Sequence, residues 1–222
     1  TSSVMGTETV SPFLYDLVML SRPRSILEIG GGLSTIYLLK ALADSTERLN
    51  VEQPLVKEEN SLLHPRYYNA PIPPAKLHMI DNFKNKKTSA GSVASVAKDL
   101  GIDEPLHVHN ANFMGYESKL PKQDIPFDMV WFDCGKIENY TYFHHNYWPL
   151  VRKDGGLILM HSLATNHHGV IFLKELRLAQ ATTRFNEFEI LNLIEPHKQR
   201  QNSVTLIRLI GEEPIRLLSV LP

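Results

Sequence analysis

Two runs in this 222-residue sequence, Met129-Val130-Trp131-Phe132 and Leu157-Ile158-Leu159-Met160, are apolar at every position. A strand with one wet face alternates apolar and polar residues, so a run with no polar position belongs to a sheet covered on both sides. Shorter runs of the same kind are Ser25-Ile26-Leu27-Glu28-Ile29, Leu77-His78-Met79-Ile80 and Leu106-His107-Val108. Helical patterns separate them. Thr35, Leu38, Leu39 and Leu42 mark one over 34–42, and a second covers 92–100 and stops at Gly101. A third covers 137–151 and gathers Tyr140, Phe143, His144 and Tyr147 on one face; a fourth covers 170–179. Asp154-Gly155-Gly156 reads as a turn before the next strand.

Short buried strands alternating with helices predict an α/β, Rossmann-like doubly wound sheet with helices on both faces. The sheet is expected to be mostly parallel. Residues 188–194 and 204–210, joined by the polar stretch 195–203, suit a closing pair with an antiparallel C-terminal strand. The length fits one domain over 1–222. One stretch, 47–74, breaks the rhythm with Pro54, Pro65, Pro71, Pro73 and Pro74 and the aromatic pair Tyr67-Tyr68. A connection this long reads as an insertion serving as a lid or subunit contact, or as plain surface decoration.

Composition narrows the function classes. With 23 basic and 24 acidic residues the net charge is −1, which excludes a generally basic nucleic-acid binder. The local clusters at Lys84, Lys86 and Lys87 and at Lys198 and Arg200 are short and read as solvated loops. The single cysteine, Cys134, excludes an intrachain disulfide and suits a reducing, cytoplasmic setting. No apolar run approaches the ~20 residues that span a bilayer. The first ten residues carry no basic region followed by an apolar core, so no secretory signal is read there. A small-molecule substrate is expected, with neither nucleic acid nor membrane as partner. Homodimers are the commonest oligomers, and the proline-rich stretch would offer a contact for one.

Glu28-Ile29-Gly30-Gly31-Gly32 closes the first strand and opens a helix for which Ser34 is a candidate N-cap. Ligands of doubly wound sheets bind beyond the carboxyl ends of the strands, and glycines there let a ligand lie against the main chain. A dinucleotide would want G-x-G-x-x-G, but the third glycine position holds Thr35.

The pattern acid-x-Gly-x-Gly instead resembles the first motif of class I S-adenosylmethionine-dependent methyltransferases. The stretch from Phe127 to Leu163 resembles their catechol O-methyltransferase-like branch. Its marks are Asp128, Asp133-Cys134-Gly135, Asn139-Tyr140, Pro149-Leu150-Val151 and Gly155-Gly156. The resemblance implies S-adenosylmethionine as cofactor, held by Glu28, Gly30, Gly31, Gly32 and Ser34. Asp81, with Asn82 beside it, matches the acid that takes the ribose hydroxyls, a task suited to an acceptor-only carboxylate. The competing reading of Asp81 is a turn-forming residue. Asn112-Phe113 match the positions around adenine, Asn112 keeping one acceptor for the amino group. Asp133, Asn139, Tyr140 and, at longer reach, Ser203 are candidates for the ligand's amino-acid end.

Metal-dependent members of that branch hold a divalent cation with an Asp after strand four and an Asp-Asn pair after strand five. Here the pair is His161-Ser162, a poor set for an ion that prefers oxygen ligands, and no metal is expected. His161 is the expected general base and Asp133 its orienting partner. The competing reading of His161 is a strand-end residue packed on the core. His107 and His109 share a strand face and read as packing; His144 reads as core. His145, His167 and His168 lie toward the expected pocket rim. Cys134 reads as a small buried residue and not a nucleophile.

Methyl transfer to an oxygen or nitrogen of a small molecule is the leading function. A second reading on the same fold is a cyclase, in which the cofactor's own amine attacks its γ-carbon. That reaction gives an azetidine amino acid and methylthioadenosine, with Tyr140, Asn139 and Ser203 as its wall. A nicotinamide-dependent reductase and a catalytically silent binding protein complete the alternatives.

Overall fold

The protein is described from a computed structural model, over residues 6–58, 61–69, 71–85, 88–182 and 187–211. Among the described residues, seven strands form one sheet in the order β3-β2-β1-β4-β5-β7-β6. They are β1 (Ser25–Ile29), β2 (Lys76–Asp81), β3 (Leu106–Asn110), β4 (Met129–Phe132), β5 (Asp154–His161), β6 (Phe188–Ile194) and β7 (Ser203–Ile210). The first five are mutually parallel. β7 runs antiparallel to both β5 and β6. The expected closing pair is therefore present, with the last described strand lodged inside the sheet and β6 at its edge. Asp154-Gly155-Gly156 belongs to the start of β5, where pairing with β7 is irregular.

The apolar runs are explained by coverage. Along β1, Ile26 points to one face and Leu27 and Ile29 to the other; in β4, Met129 and Trp131 oppose Val130 and Phe132. The Ile26 face is covered by α1 (Val10–Ser21), α2 (Leu33–Leu55) and α4 (Val93–Asp99) through Leu14, Val18, Leu38, Leu42 and Ala97. The Leu27 face is covered by α5 (Ile137–Asn146) and α6 (His167–Thr182) through Tyr140, Phe143, Phe172 and Leu176. The period of two sorts side chains between two dry layers, so both phases of each central strand must be apolar.

Three sequence expectations change here. α1 was not anticipated, although Val10, Leu14 and Val18 recur every four residues. α2 continues through Leu55, absorbing the first part of the supposed insertion, with Pro54 in its final turn. The described remainder of that stretch includes the short helix α3 (Pro65–Asn69), and Tyr68 and Pro73 bond near the amino end of β1. There Tyr68 donates to Glu52 at 2.7 Å, Arg22 donates to Glu52 at 2.8 Å and Arg24 Nε donates to the Pro73 carbonyl at 2.8 Å. These contacts lie at the end of the sheet opposite the carboxyl ends of the strands. Lys86 and Lys87 of the basic cluster lie outside the described residues.

The histidine pair of β3 gains a third member. His78, buried in β2 beside His107, stacks between His107 and His109 with ring centroids 4.9 and 5.2 Å away. Its Nε2 donates to Asp124 at 3.1 Å, and its Nδ1 accepts from His109 Nε2 at 2.9 Å. Tyr116 donates in turn to His109 Nδ1 at 3.0 Å. With both rings neutral, every donor in this chain meets an acceptor. Burial, reinforced by the neighbouring imidazoles, pushes His78 down to about 4. The unfolded chain binds this proton near pH 6.5, so the stabilisation is complete above 6.5 and is lost as pH falls toward 4. Urea unfolding should show a loss of roughly 2–3 kcal/mol across that window from this residue. His78→Gln should flatten the slope; an unchanged slope would remove His78 as its cause.

Candidate active site

A cavity of about 680 Å³ opens at the carboxyl ends of β1 to β5, next to the point where the strand order reverses between β1 and β4. Its floor is the glycine turn. Gly30 adopts φ +93°, and a Cβ there would sit 2.9 Å from the Asp133 carbonyl. A Cβ on Gly31 would collide with the Met79 sulfur. Gly32 caps α2, its N–H donating to Thr35 Oγ1 at 3.0 Å. The residue that breaks the dinucleotide pattern is thus the one that closes the turn. Ser34 is not the cap: it lies inside the helix, and its hydroxyl donates to Glu28 Oε1 at 2.6 Å.

Glu28 sits directly beneath the turn, fully buried, and its Oε2 has no partner among the described residues. Burial pushes its carboxyl up to about 8, with bonds from Ser34 and Thr35 offsetting part of the effect and Asp133 and Asp81 adding to it. Asp81 closes β2 and clamps the turn from the side, Oδ2 accepting from Gly31 N at 3.0 Å and Oδ1 from Phe83 N at 2.6 Å. The ribose and turn-forming readings of Asp81 are therefore compatible, since a carboxylate has about four acceptor sites. Asn82, Asn112 and Phe113 line the same cavity. Asn112 Oδ1 accepts from Met114 N at 3.2 Å, and Phe113 is a buried wall edge-on to Phe132.

Asp133 and His161 meet at the ends of β4 and β5, with Asp133 Oδ1 to His161 Nδ1 at 2.9 Å. The histidine side chain is 2% exposed and the aspartate 34%, so the carboxylate is the more exposed of the two, and both line the cavity. His161 Nε2 is also occupied, by the Gln201 carbonyl at 3.2 Å. Burial opposes charge on this ring, but the charge and hydrogen bond of Asp133, with the Gln201 carbonyl, outweigh it and raise the pKa. An acceptor stands at each nitrogen, an arrangement that favours the protonated ring.

Four predicted contacts do not line the cavity: Glu28, enclosed beneath the turn, and Asn139, Tyr140 and Ser203. Asn139 lies half-buried in the first turn of α5. Tyr140 is fully buried, stacked on Phe172, and its hydroxyl has no partner among the described residues. Ser203 is the first residue of β7 and not part of the loop; it is buried against Thr165 Oγ1 at 3.0 Å. Its carbonyl accepts from Ser162 N at 2.7 Å, which braces the turn after His161. Cys134 lines the cavity, but burial pushes its thiol up to about 12, far from a nucleophile. His144 is exposed, edge-on to Trp148, and not core. His167 and His168 are exposed on the first turn of α6 and do not line the cavity.

Residues that sequence reasoning missed complete the wall: Gly6, Thr7 and Glu8 ahead of α1, Thr88 and Ser89 after β2, and Gln201. The start of the α1 periodicity could have flagged the first three; nothing local marks Gln201. Among the described residues, no group of three His, Cys, Asp or Glu side chains is placed to hold a metal ion. No helix among them is long and apolar enough to cross a membrane.

Residues 27–163, more than half of the chain, match a family model described as a methyltransferase domain. The chain belongs to this methyltransferase family, on the Rossmann-like class I fold. No curated protein matches the sequence. Among solved structures, it is similar to the O-methyltransferase TomG of Streptomyces achromogenes, involved in tomaymycin synthesis and solved with SAM. The identity is 20% and the TM-score 0.64, covering 93% of this chain and 82% of that one. An O-methyltransferase of Bacillus cereus, solved with SAH, is 16% identical with a TM-score of 0.63, over 92% and 82%. An rRNA methylase of Streptococcus thermophilus is 11% identical with a TM-score of 0.54, over 93% and 98%. At these identities the likeness is one of fold, which serves small and large acceptors alike.

Proposed function

We propose that this protein transfers a methyl group from S-adenosylmethionine to an oxygen or nitrogen of a small molecule, with Asp133 as the group that meets the nucleophile. The observation that carries this reading is the glycine cradle closed by Asp81 above buried Glu28, with Asp133 presented on the same cavity. The residues suit the cofactor. Gly30 and Gly31 line the cavity with bare main chain, since a Cβ at either would strike the Asp133 carbonyl or the Met79 sulfur, and Asp81 and Asp133 on the same cavity favour a sulfonium and an ammonium. Gly30 to Gly32 and Ser34 would seat the amino-acid portion, Asp81 and Asn82 the ribose, and Asn112 and Phe113 the adenine.

Bound there, the cofactor supplies an electrophilic methyl carbon and leaves as the neutral thioether. The protein aligns the nucleophile and removes its proton. Asp133 Oδ2, which makes no hydrogen bond among the described residues, takes that proton as the nucleophile's lone pair forms the new bond. His161 stays protonated behind it and fixes Oδ1.

Calorimetry and product analysis test the reading. S-adenosylmethionine should bind with measurable heat, a reduced nicotinamide dinucleotide should not, and S-adenosylhomocysteine should form only once an acceptor is supplied. Methylthioadenosine from S-adenosylmethionine alone would instead establish the cyclase. Asp81→Ala should weaken cofactor binding by about 10- to 100-fold, because both the ribose contact and the clamp on Gly31 are lost. Unchanged affinity in that variant would remove Asp81 from the site.

A further inference from the structure

Gly6, Thr7 and Glu8 form a short strap ahead of α1 that walls the cavity. The strap is tied to the loop between β6 and β7: Lys198 Nζ donates to the Gly6 carbonyl at 3.0 Å, and Thr9 Oγ1 meets His197 Nε2 at 3.3 Å. The same loop delivers the Gln201 carbonyl to His161. The strap therefore stands on the Asp133–His161 side of the cavity, across from the adenine wall at Asn112 and Phe113.

The charges along this wall are one-sided. Asp81, Asp133 and Glu8 line the cavity, and no lysine or arginine does so among the described residues. Its one basic side chain, His161, is already bound to Asp133. Asp81 is engaged with the glycine turn. Glu8 alone is unassigned: half-buried, it makes no hydrogen bond or ion pair with a described residue. Its carboxylate is folded back over Gly6, where any Cβ would collide with it. Lys198, which ties the strap to that loop, is committed to Glu195 at 2.9 Å.

Resting on the methyltransferase reading, we infer that the acceptor is a small molecule carrying an ammonium group that Glu8 recognises, with its nucleophilic O–H or N–H presented separately to Asp133. A carboxylate-lined wall without a free cation repels carboxylates and phosphates, and like charges in juxtaposition exclude wrong partners as effectively as contacts admit the right one. The ammonium stays protonated and takes no part in the transfer, so the chemistry at Asp133 is unaltered.

Three phenols of matched size separate the charge classes: tyramine, neutral tyrosol and anionic 3-(4-hydroxyphenyl)propionate. Each is titrated calorimetrically into the complex of the full chain with S-adenosylhomocysteine, which requires no turnover. Tyramine should bind at least about tenfold more tightly than tyrosol, and the propionate more weakly than either. Glu8→Gln should erase the tyramine advantage and leave the affinity for S-adenosylhomocysteine unchanged; Glu8→Lys should reverse the order. The inference is overturned by a propionate that binds as well as tyramine, or by no difference among the three. It is also overturned if none of them binds, or if Glu8→Gln weakens S-adenosylhomocysteine and spares the tyramine advantage. Failure of the methyltransferase reading shows separately, as the absence of S-adenosylhomocysteine formation from S-adenosylmethionine with any acceptor.

Discussion

Asp133→Asn should lower turnover by about 100- to 10,000-fold while the cofactor still binds. The amide keeps the volume and one hydrogen-bond acceptor but no longer takes a proton. It also leaves the His161 imidazolium facing a neutral group, which favours loss of the ring proton. Single-turnover formation of S-adenosylhomocysteine measures the chemical step, and calorimetry on the same protein measures cofactor affinity. A drop confined to the chemical step places Asp133 at the nucleophile; a drop confined to affinity assigns it to the cofactor's ammonium instead. His161→Gln tests the order of the pair. A positioning residue predicts a smaller loss together with a shifted pH profile, because Oδ1 loses its fixed cation. If His161→Gln costs more than Asp133→Asn at every pH, the imidazole and not the carboxylate takes the proton.

Gly30→Ala should be the most damaging single methyl group in the site. Two costs combine there. The backbone at φ +93° is one that L side chains rarely adopt, and the new Cβ would press on the Asp133 carbonyl at 2.9 Å. That carbonyl belongs to main chain at the end of β4, held by the bond from Asp133 N to Ile29 O at 2.9 Å, so it cannot yield as a flexible side chain would. A loss of about 2–4 kcal/mol in unfolding free energy is expected, together with weaker cofactor binding as Asp133 is displaced. Gly101→Ala separates the terms: φ is +67° but the space is open, so only the conformational cost applies. Gly91→Ala meets nothing within 4 Å and should be close to neutral. Equal losses at Gly30 and Gly101 would mean that the contact with Asp133 carries no weight.

The strands, the glycine turn and the placement of Asp81, Asp133 and His161 were legible in the amino-acid order. Each rests on a local rule. A strand buried on both faces must be apolar in both phases, and a turn that seats a ligand on its backbone must lack side chains. A residue closing a parallel strand must point into the crevice where the others end. The composition of the cavity wall was not legible. Glu8 and Gln201 reach it from opposite ends of the chain, through contacts whose partners lie more than 180 residues apart. Tyr140 and Ser203 were read as ligand contacts because they follow strands four and six. The packing of α5 on α6 and the pairing of β7 with β5 turn them into the core. His78 shows the same limit: nothing in its strand announces that Asp124 and His109 will saturate both its nitrogens. Local sequence thus determined which segments extend, coil and turn, because those preferences are short-range. Only the tertiary structure decided which member of the Asp133–His161 pair meets solvent and which charges share a wall, because both depend on side-chain direction and long-range pairing.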